Sequence, residues 1–144
     1  MRVFVADDSV IFRKIISEVL SEIPGVEIVG TAVNGKIALD KIRMLKPDFV
    51  TLDIEMPEMT GIEVLQALKK DNMSLQVVVV SSLTLKGGEL TIKALELGAV
   101  DFITKPTSGT IEENKFEIKR KLSAIVKVFA SRLGKFYERL NPTF

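Results

Sequence analysis

The feature that most constrains this chain is a five-fold alternation of two patterns. Short apolar runs of strand length recur, and after each the apolar residues step by threes and fours. The runs are Arg2–Ala6, Val26–Ala32, Phe49–Leu52, Gln76–Val80 and Val100–Thr104. In Gln76-Val77-Val78-Val79-Val80 no polar residue interrupts the valines, the mark of a strand covered on both faces of a parallel sheet. Strand and helix patterns in strict alternation predict a doubly wound α/β domain. At 144 residues there is room for one such domain and not for two of ordinary size.

The punctuation between the runs agrees. Asp7-Asp8-Ser9 stops the first strand, and either Asp8 or Ser9 can cap a helix carrying Val10, Ile11, Ile15, Val19, Leu20 and Ile23. Pro24-Gly25 ends it. Asn34-Gly35 opens the second helix (Ile37, Ala38, Ile42, Leu45) and Pro47 closes it; the third carries Ile62, Val64, Leu65 and Leu68. Gly87-Gly88 precede the fourth (Leu90, Ile92, Ala94, Leu95, Leu97), with Gly98 as its C′ stop. The last begins near Ile111 and keeps Ile118, Leu122, Ile125, Phe129, Leu133, Phe136 and Leu140 in step. If continuous it is about 45 Å long, against roughly 17–20 Å for a strand. It outruns the sheet unless Gly134 breaks it. Phe129, Leu133, Phe136 and Tyr137 then call for a second domain, a second copy or a linker.

Composition excludes whole classes of chemistry. There is no histidine, so a Ser-His-Asp triad, a histidine proton shuttle and a His-ligated zinc are impossible within this chain. There is no cysteine either, hence no disulfide and no thiolate. A bound metal must sit on oxygen, which points to Mg²⁺, Mn²⁺ or Ca²⁺. No apolar run approaches the ~20 residues of a membrane span, and the start of the chain reads as a strand rather than a signal peptide. These features predict a cytoplasmic protein without membrane insertion. Residues 107–144 carry eight Lys/Arg against four Glu, net +4, which leaves −3 for residues 1–106. An acidic body argues against nucleic-acid binding.

What the strand ends deliver carries the function. Right-handed crossovers put all five C-terminal ends on one edge, where open α/β sheets bind ligands. The first strand brings Asp7 and Asp8 there, the third Asp53, the fourth Ser81 and the fifth Lys105. Alone, Asp7-Asp8-Ser9 is a helix cap, Ser81 a strand-end hydroxyl and Lys105-Pro106 a surface turn. Together they are a constellation. Two like charges at ~4 Å repel by ~4 kcal/mol at an effective dielectric near 20, so three acids need more than one lysine. An oxygen-bound divalent cation meets that need and leaves room for a phosphoryl oxygen. Asp53 can then attack phosphorus to form an acyl phosphate, with Lys105 and the cation steadying the transferring oxygens and Ser81 receiving them.

The spacing of VADDS, TLDIEMPEMTG, VVSSLT and FITKP resembles the receiver domain of two-component response regulators, over residues 1 to about 121. The resemblance implies a flavodoxin-like (βα)5 sandwich with strand order 2-1-3-4-5. It implies that Asp53 takes phosphate from a histidine kinase, and that Asp8, Asp53 and the backbone carbonyl of Glu55 bind Mg²⁺ (or Mn²⁺), Asp7 helping through water. Lys105 would pair with the phosphate, Ser81 would be the switch hydroxyl and Phe102 the aromatic switch, moving the face built from helix four, strand five and helix five. Thr60, where many receivers have Asp, and Ser81, where Thr is common, depart from the pattern without removing a needed group.

The segment VSSLTLKGGELTIKALELGAVDFITKPTSG is similar, more narrowly, to the receiver of the chemotaxis protein-glutamate methylesterases. In that family the receiver covers an esterase domain, and phosphorylation relieves the inhibition. The esterase triad contains a histidine, so it must lie outside this chain. The expected division is a receiver over 1–121 and a helical extension or linker over 122–144, leading to a linked methylesterase domain or dimerising through the C-terminal helix. A stand-alone receiver acting on a partner protein is the alternative. An aspartyl-nucleophile phosphohydrolase fits less well, because adjacent Asp7-Asp8 replaces the D-x-D of those enzymes. A flavodoxin-like cofactor binder would need glycines after the first strand, and a DNA-binding regulator a helix-turn-helix.

Overall fold

The computed structural model describes residues 1–82 and 84–140, and side chains as far as residue 134. The elements alternate as β1 (Arg2–Ala6), α1 (Val10–Ser21), β2 (Glu27–Ala32), α2 (Gly35–Leu45), β3 (Phe49–Asp53), α3 (Gly61–Lys70), β4 (Gln76–Ser81), α4 (Leu85–Glu96), β5 (Asp101–Thr104) and α5 (Ile111–Leu140). The five strands form one sheet in the order β2-β1-β3-β4-β5, every neighbouring pair parallel. This is the (βα)5 flavodoxin-like sandwich and strand order expected.

Side chains alternate across a strand, and here both faces are buried. Val77 and Val79 enter a core with Phe4, Leu52, Ile42 and Val64 under α2, α3 and α4. Val78 and Val80 enter a second with Val3, Val5, Phe49, Val19, Ile118 and Leu122 under α1 and α5. Fixing a central sheet from both sides leaves its C-terminal edge a rigid platform.

Three sequence expectations are corrected in detail. Val10 and Ile11 do not join the buried stripe of α1: they are 68% and 55% exposed, and Ile15, Ile16, Val19 and Leu20 are buried. The first turn of α1 rises past the end of β1, where no sheet remains to cover it. Gly87 and Gly88 lie inside α4 rather than before it, because Thr84 caps the helix and accepts from the Gly87 N–H at 2.9 Å. Ile92 and Leu95, placed on the apolar face of α4, and Ile37, placed on that of α2, are exposed. Of the two candidate caps of α1, Ser9 is the one used.

Gly134 does not break α5, which runs on to Leu140. Ile118, Leu122 and Val126 fix it to the second core. Phe136, Tyr137 and Leu140, expected on its apolar side, have side chains outside the described residues. No described helix is long and apolar enough to cross a membrane.

Candidate functional site

The site begins with how β1 ends. Asp7 follows the last strand residue, its N–H still donating to the Ala32 carbonyl at 3.1 Å, so its side chain leaves from a fixed backbone. Its carboxylate is fully buried, and Oδ1 accepts the Ser9 N–H at 2.8 Å. Asp53 is the last residue of β3, 3% exposed; its Oδ1 accepts the Glu55 N–H at 3.2 Å as the chain turns. Lys105 follows β5, and its N–H donates to the Ser81 carbonyl at 2.7 Å, prolonging the β4–β5 ladder by one bond. From there the ammonium reaches Asp7 Oδ1 and Asp53 Oδ2, each at 3.1 Å. Asp8 is exposed, yet a carboxylate oxygen from each of Asp7, Asp8 and Asp53 lies within 4.8 Å of the others.

The electrostatics follow from too many acids in too little water. Burial pushes the Asp53 carboxyl up to about 7, the charge on Asp7 and contact with Asp8 act in the same direction, and Lys105 opposes them. Burial likewise raises Asp7, against the pull of Lys105 and the Ser9 N–H. Burial alone would favour neutral Lys105, but the two carboxylates outweigh it and hold the ammonium above the ordinary lysine range. One lysine does not complete the cluster: Asp7 Oδ2 is buried with no hydrogen-bond partner. Clustered carboxylate oxygens with one left unpartnered, in a donor set without nitrogen or sulfur, fit a hard divalent cation.

The remaining predicted residues divide. Ser81 closes β4 beside β3 and is 4% exposed. Glu55 has an exposed side chain and enters the site through its backbone. Phe102 stands apart from the acids, in mid-β5 opposite Val79, and is 45% exposed.

Three contributors escaped sequence reasoning. The Phe12 ring lies 4.9 Å from the Lys105 ammonium. Arg13 Nη1 donates to the Asp7 carbonyl at 3.0 Å. Gly35 packs so closely on the loop after β3 that a Cβ there would stand 1.8 Å from the Met59 carbonyl oxygen. Phe12 shares the helical stripe of Ile15, Ile16 and Val19, and such a residue reads as core. The signal that set it apart was its position three residues beyond a cap adjoining two acids.

Comparison with known proteins agrees with the geometry. Residues 3–113 match the family described as the response regulator receiver domain. A protein-glutamate methylesterase/protein-glutamine glutaminase of Desulfotalea psychrophila is 53% identical over 132 residues, 92% of this chain and 36% of the relative. The protein of the same description from Bacillus subtilis is 51% identical over 134 residues, 93% and 36% of the respective lengths. The chain thus spans little more than a third of the curated relatives it matches. The crystal structure of the response regulator domain of Thermotoga maritima CheB superposes with a TM-score of 0.76 at 40% identity, covering 88% of this chain and 93% of that one. Fold, acidic strand ends and relatives converge: the chain belongs to the response-regulator receiver domains, of the kind carried by CheB proteins.

Proposed function

We propose that Asp53 is the phosphoacceptor of this receiver, loaded from the phosphohistidine of a histidine kinase. Asp7, Asp8, Asp53 and the Glu55 carbonyl would hold Mg²⁺ or Mn²⁺ beside it. The observation that carries this is the ammonium of Lys105, shared between Asp7 and Asp53 at 3.1 Å within a cluster of three carboxylates on the C-terminal edge. A carboxylate oxygen of Asp53 attacks phosphorus, the phosphorus–nitrogen bond breaks, and its electron pair returns to the leaving imidazole. The bound cation supplies positive charge against the phosphoryl oxygens. The chain's own part is positioning. The Glu55 N–H steadies one Asp53 oxygen; Lys105 turns from the other to the incoming phosphoryl group; the Ser81 hydroxyl donates to it from the next strand. As Ser81 moves in, Phe102 turns inward and the α4–β5–α5 face changes.

Acetyl phosphate tests this with a small donor. Label should appear only with Mg²⁺ or Mn²⁺ and vanish in Asp53→Asn; labelling that survives the substitution overturns the assignment.

In this reading the module controls a linked methylesterase domain in the cytoplasm, and residues 122–144 are the helical extension or linker toward it, α5 carrying the chain as far as Leu140. Leu122 and Val126 root that extension in the core. Beyond them, α5 overhangs a groove of about 910 Å³ at the opposite end of the sheet, where Leu75, Val100, Ile125, Val128, Phe129 and Leu133 lie beside Asp48, Gln76, Asp101 and Arg132. That groove supports a covering partner, the linked domain or a second copy. A sedimentation series separates the two, since only self-association grows with concentration of the isolated chain.

A further inference from the structure

We infer that Phe12 is a positioning residue for Lys105, its ring face holding the ammonium at the phosphorylation site without fixing the direction in which it donates. The inference rests on the phosphoacceptor reading above and adds a residue that the motif leaves out.

The ammonium has three hydrogens and no acceptor capacity. Two are used, on Asp7 Oδ1 and Asp53 Oδ2. The Phe12 ring lies beside the same nitrogen at 4.9 Å from centroid to Nζ, inside the range where a cation is drawn to an aromatic quadrupole. The lysine side chain is only 16% exposed, so the attraction acts in a partly dry setting.

The ring is placed by the same groups that build the site. Asp7 Oδ1 accepts the Ser9 N–H at 2.8 Å, and Ser9 Oγ accepts the Phe12 N–H at 3.3 Å. A single carboxylate therefore anchors the helix cap, sets where Phe12 leaves the first turn and binds the lysine. Three and four residues on, Ile15 and Ile16 are buried in the core and hold that face of α1 down.

The choice of a ring over an acceptor has a mechanical reason. When a phosphoryl group arrives on Asp53, Lys105 must release the carboxylate oxygen and donate to the phosphoryl oxygen instead. A third carboxylate or carbonyl beside the nitrogen would compete for that hydrogen and resist the turn. A π face has no lone-pair direction. It lets the ammonium turn without a directional penalty, its pull counts most while the bond to Asp53 is released and the one to the phosphoryl oxygen is forming, and it keeps water from one side.

The test replaces Phe12 with mono-, di- and trifluorophenylalanine, which keep the shape of the ring while draining charge from its face. The rate of acetyl phosphate labelling at saturating Mg²⁺ should fall stepwise with each fluorine. Phe12→Leu should lose roughly three- to ten-fold, the size of a partly desolvated cation–π contact, and Phe12→Tyr should restore the rate. Independently of phosphorylation, the ε-methylene protons of Lys105 should lie upfield in the wild type and return toward ordinary lysine positions in Phe12→Leu. A flat fluorine series overturns the inference even if Phe12→Leu is slow, because loss of packing would then be the cause. If the wild type takes no label, the phosphoacceptor reading fails, and the Lys105 proton shift alone decides whether the ring holds the ammonium.

Discussion

Asp53 is held in a state that costs the fold. Its ordinary pKa is 3.8 and burial raises it to about 7. The folded protein therefore keeps a proton that the unfolded chain has released, and without metal this residue's contribution to stability is full below pH ~4 and is lost as pH climbs toward 7. Asn has no charge to desolvate. In EDTA at pH 8, Asp53→Asn should resist urea better than wild type by roughly 1–3 kcal/mol, with the gap narrowing at pH 5. Saturating Mg²⁺ should narrow it again, because the cation binds the wild-type cluster and not the depleted one. A substitution that destroys function while strengthening the fold marks a site kept for chemistry. If Asp53→Asn were no more stable than wild type in EDTA at pH 8, the buried carboxylates would not be in conflict.

At the scale of elements, two glycines make opposite predictions. Gly35 opens α2 beneath the loop that leads from Asp53, and an added Cβ meets the Met59 carbonyl oxygen at 1.8 Å and its carbon at 2.6 Å. Backbone cannot move aside cheaply, so Gly35→Ala should cost about 1–3 kcal/mol, and the amides of 57–60 should shift with it. Gly88 lies in the first turn of α4, where an added methyl would find nothing within 4 Å. Gly88→Ala should stabilise by about 0.5–1 kcal/mol through the unfolded state and helix propensity. The contrast also shows what the sequence could and could not tell. Both glycines look like breakers, and only the partner each one touches reveals which is a seat and which is a loose turn. Strand and helix existence was legible because periodicity reports the buried stripe. Val10 and Ile11 misled because periodicity does not report where the sheet ends. Asp7, Asp8, Asp53, Ser81 and Lys105 were legible as polar residues at apolar strand ends. Phe12 was hidden because a ring on a core stripe looks like packing until the ammonium beside it is seen.

Across the whole molecule, the sheet determines where a phosphorylation signal can travel. Asp7 follows β1 and Asp53 ends β3, strands paired on both sides and unable to shift alone. Lys105 follows β5, Ser81 ends β4, and the 2.7 Å bond from the Lys105 N–H to the Ser81 carbonyl ties them. β5 is an edge strand with one neighbour, so a pull on Lys105 and Ser81 is relieved there, where Phe102 is already half exposed. The length of α5 resists the pull: Ile118, Leu122 and Val126 are buried, and Lys115 and Lys119 pair with Glu22, just past α1, at 2.9 and 3.0 Å. Those exposed pairs add little and fade with salt, so the buried residues do most of the anchoring. Beryllofluoride with Mg²⁺, a phosphoryl mimic, should therefore shift the amides of 101–106 and of the first turns of α4 and α5, leaving those of Ile118, Leu122 and Val126 nearly still. Ser81→Ala should keep the shifts at Asp7 and Asp53, since the mimic still binds, but shrink those at Phe102. If Phe102 responds equally in Ser81→Ala, the hydroxyl is not the link, and the edge strand is moved by Lys105 alone.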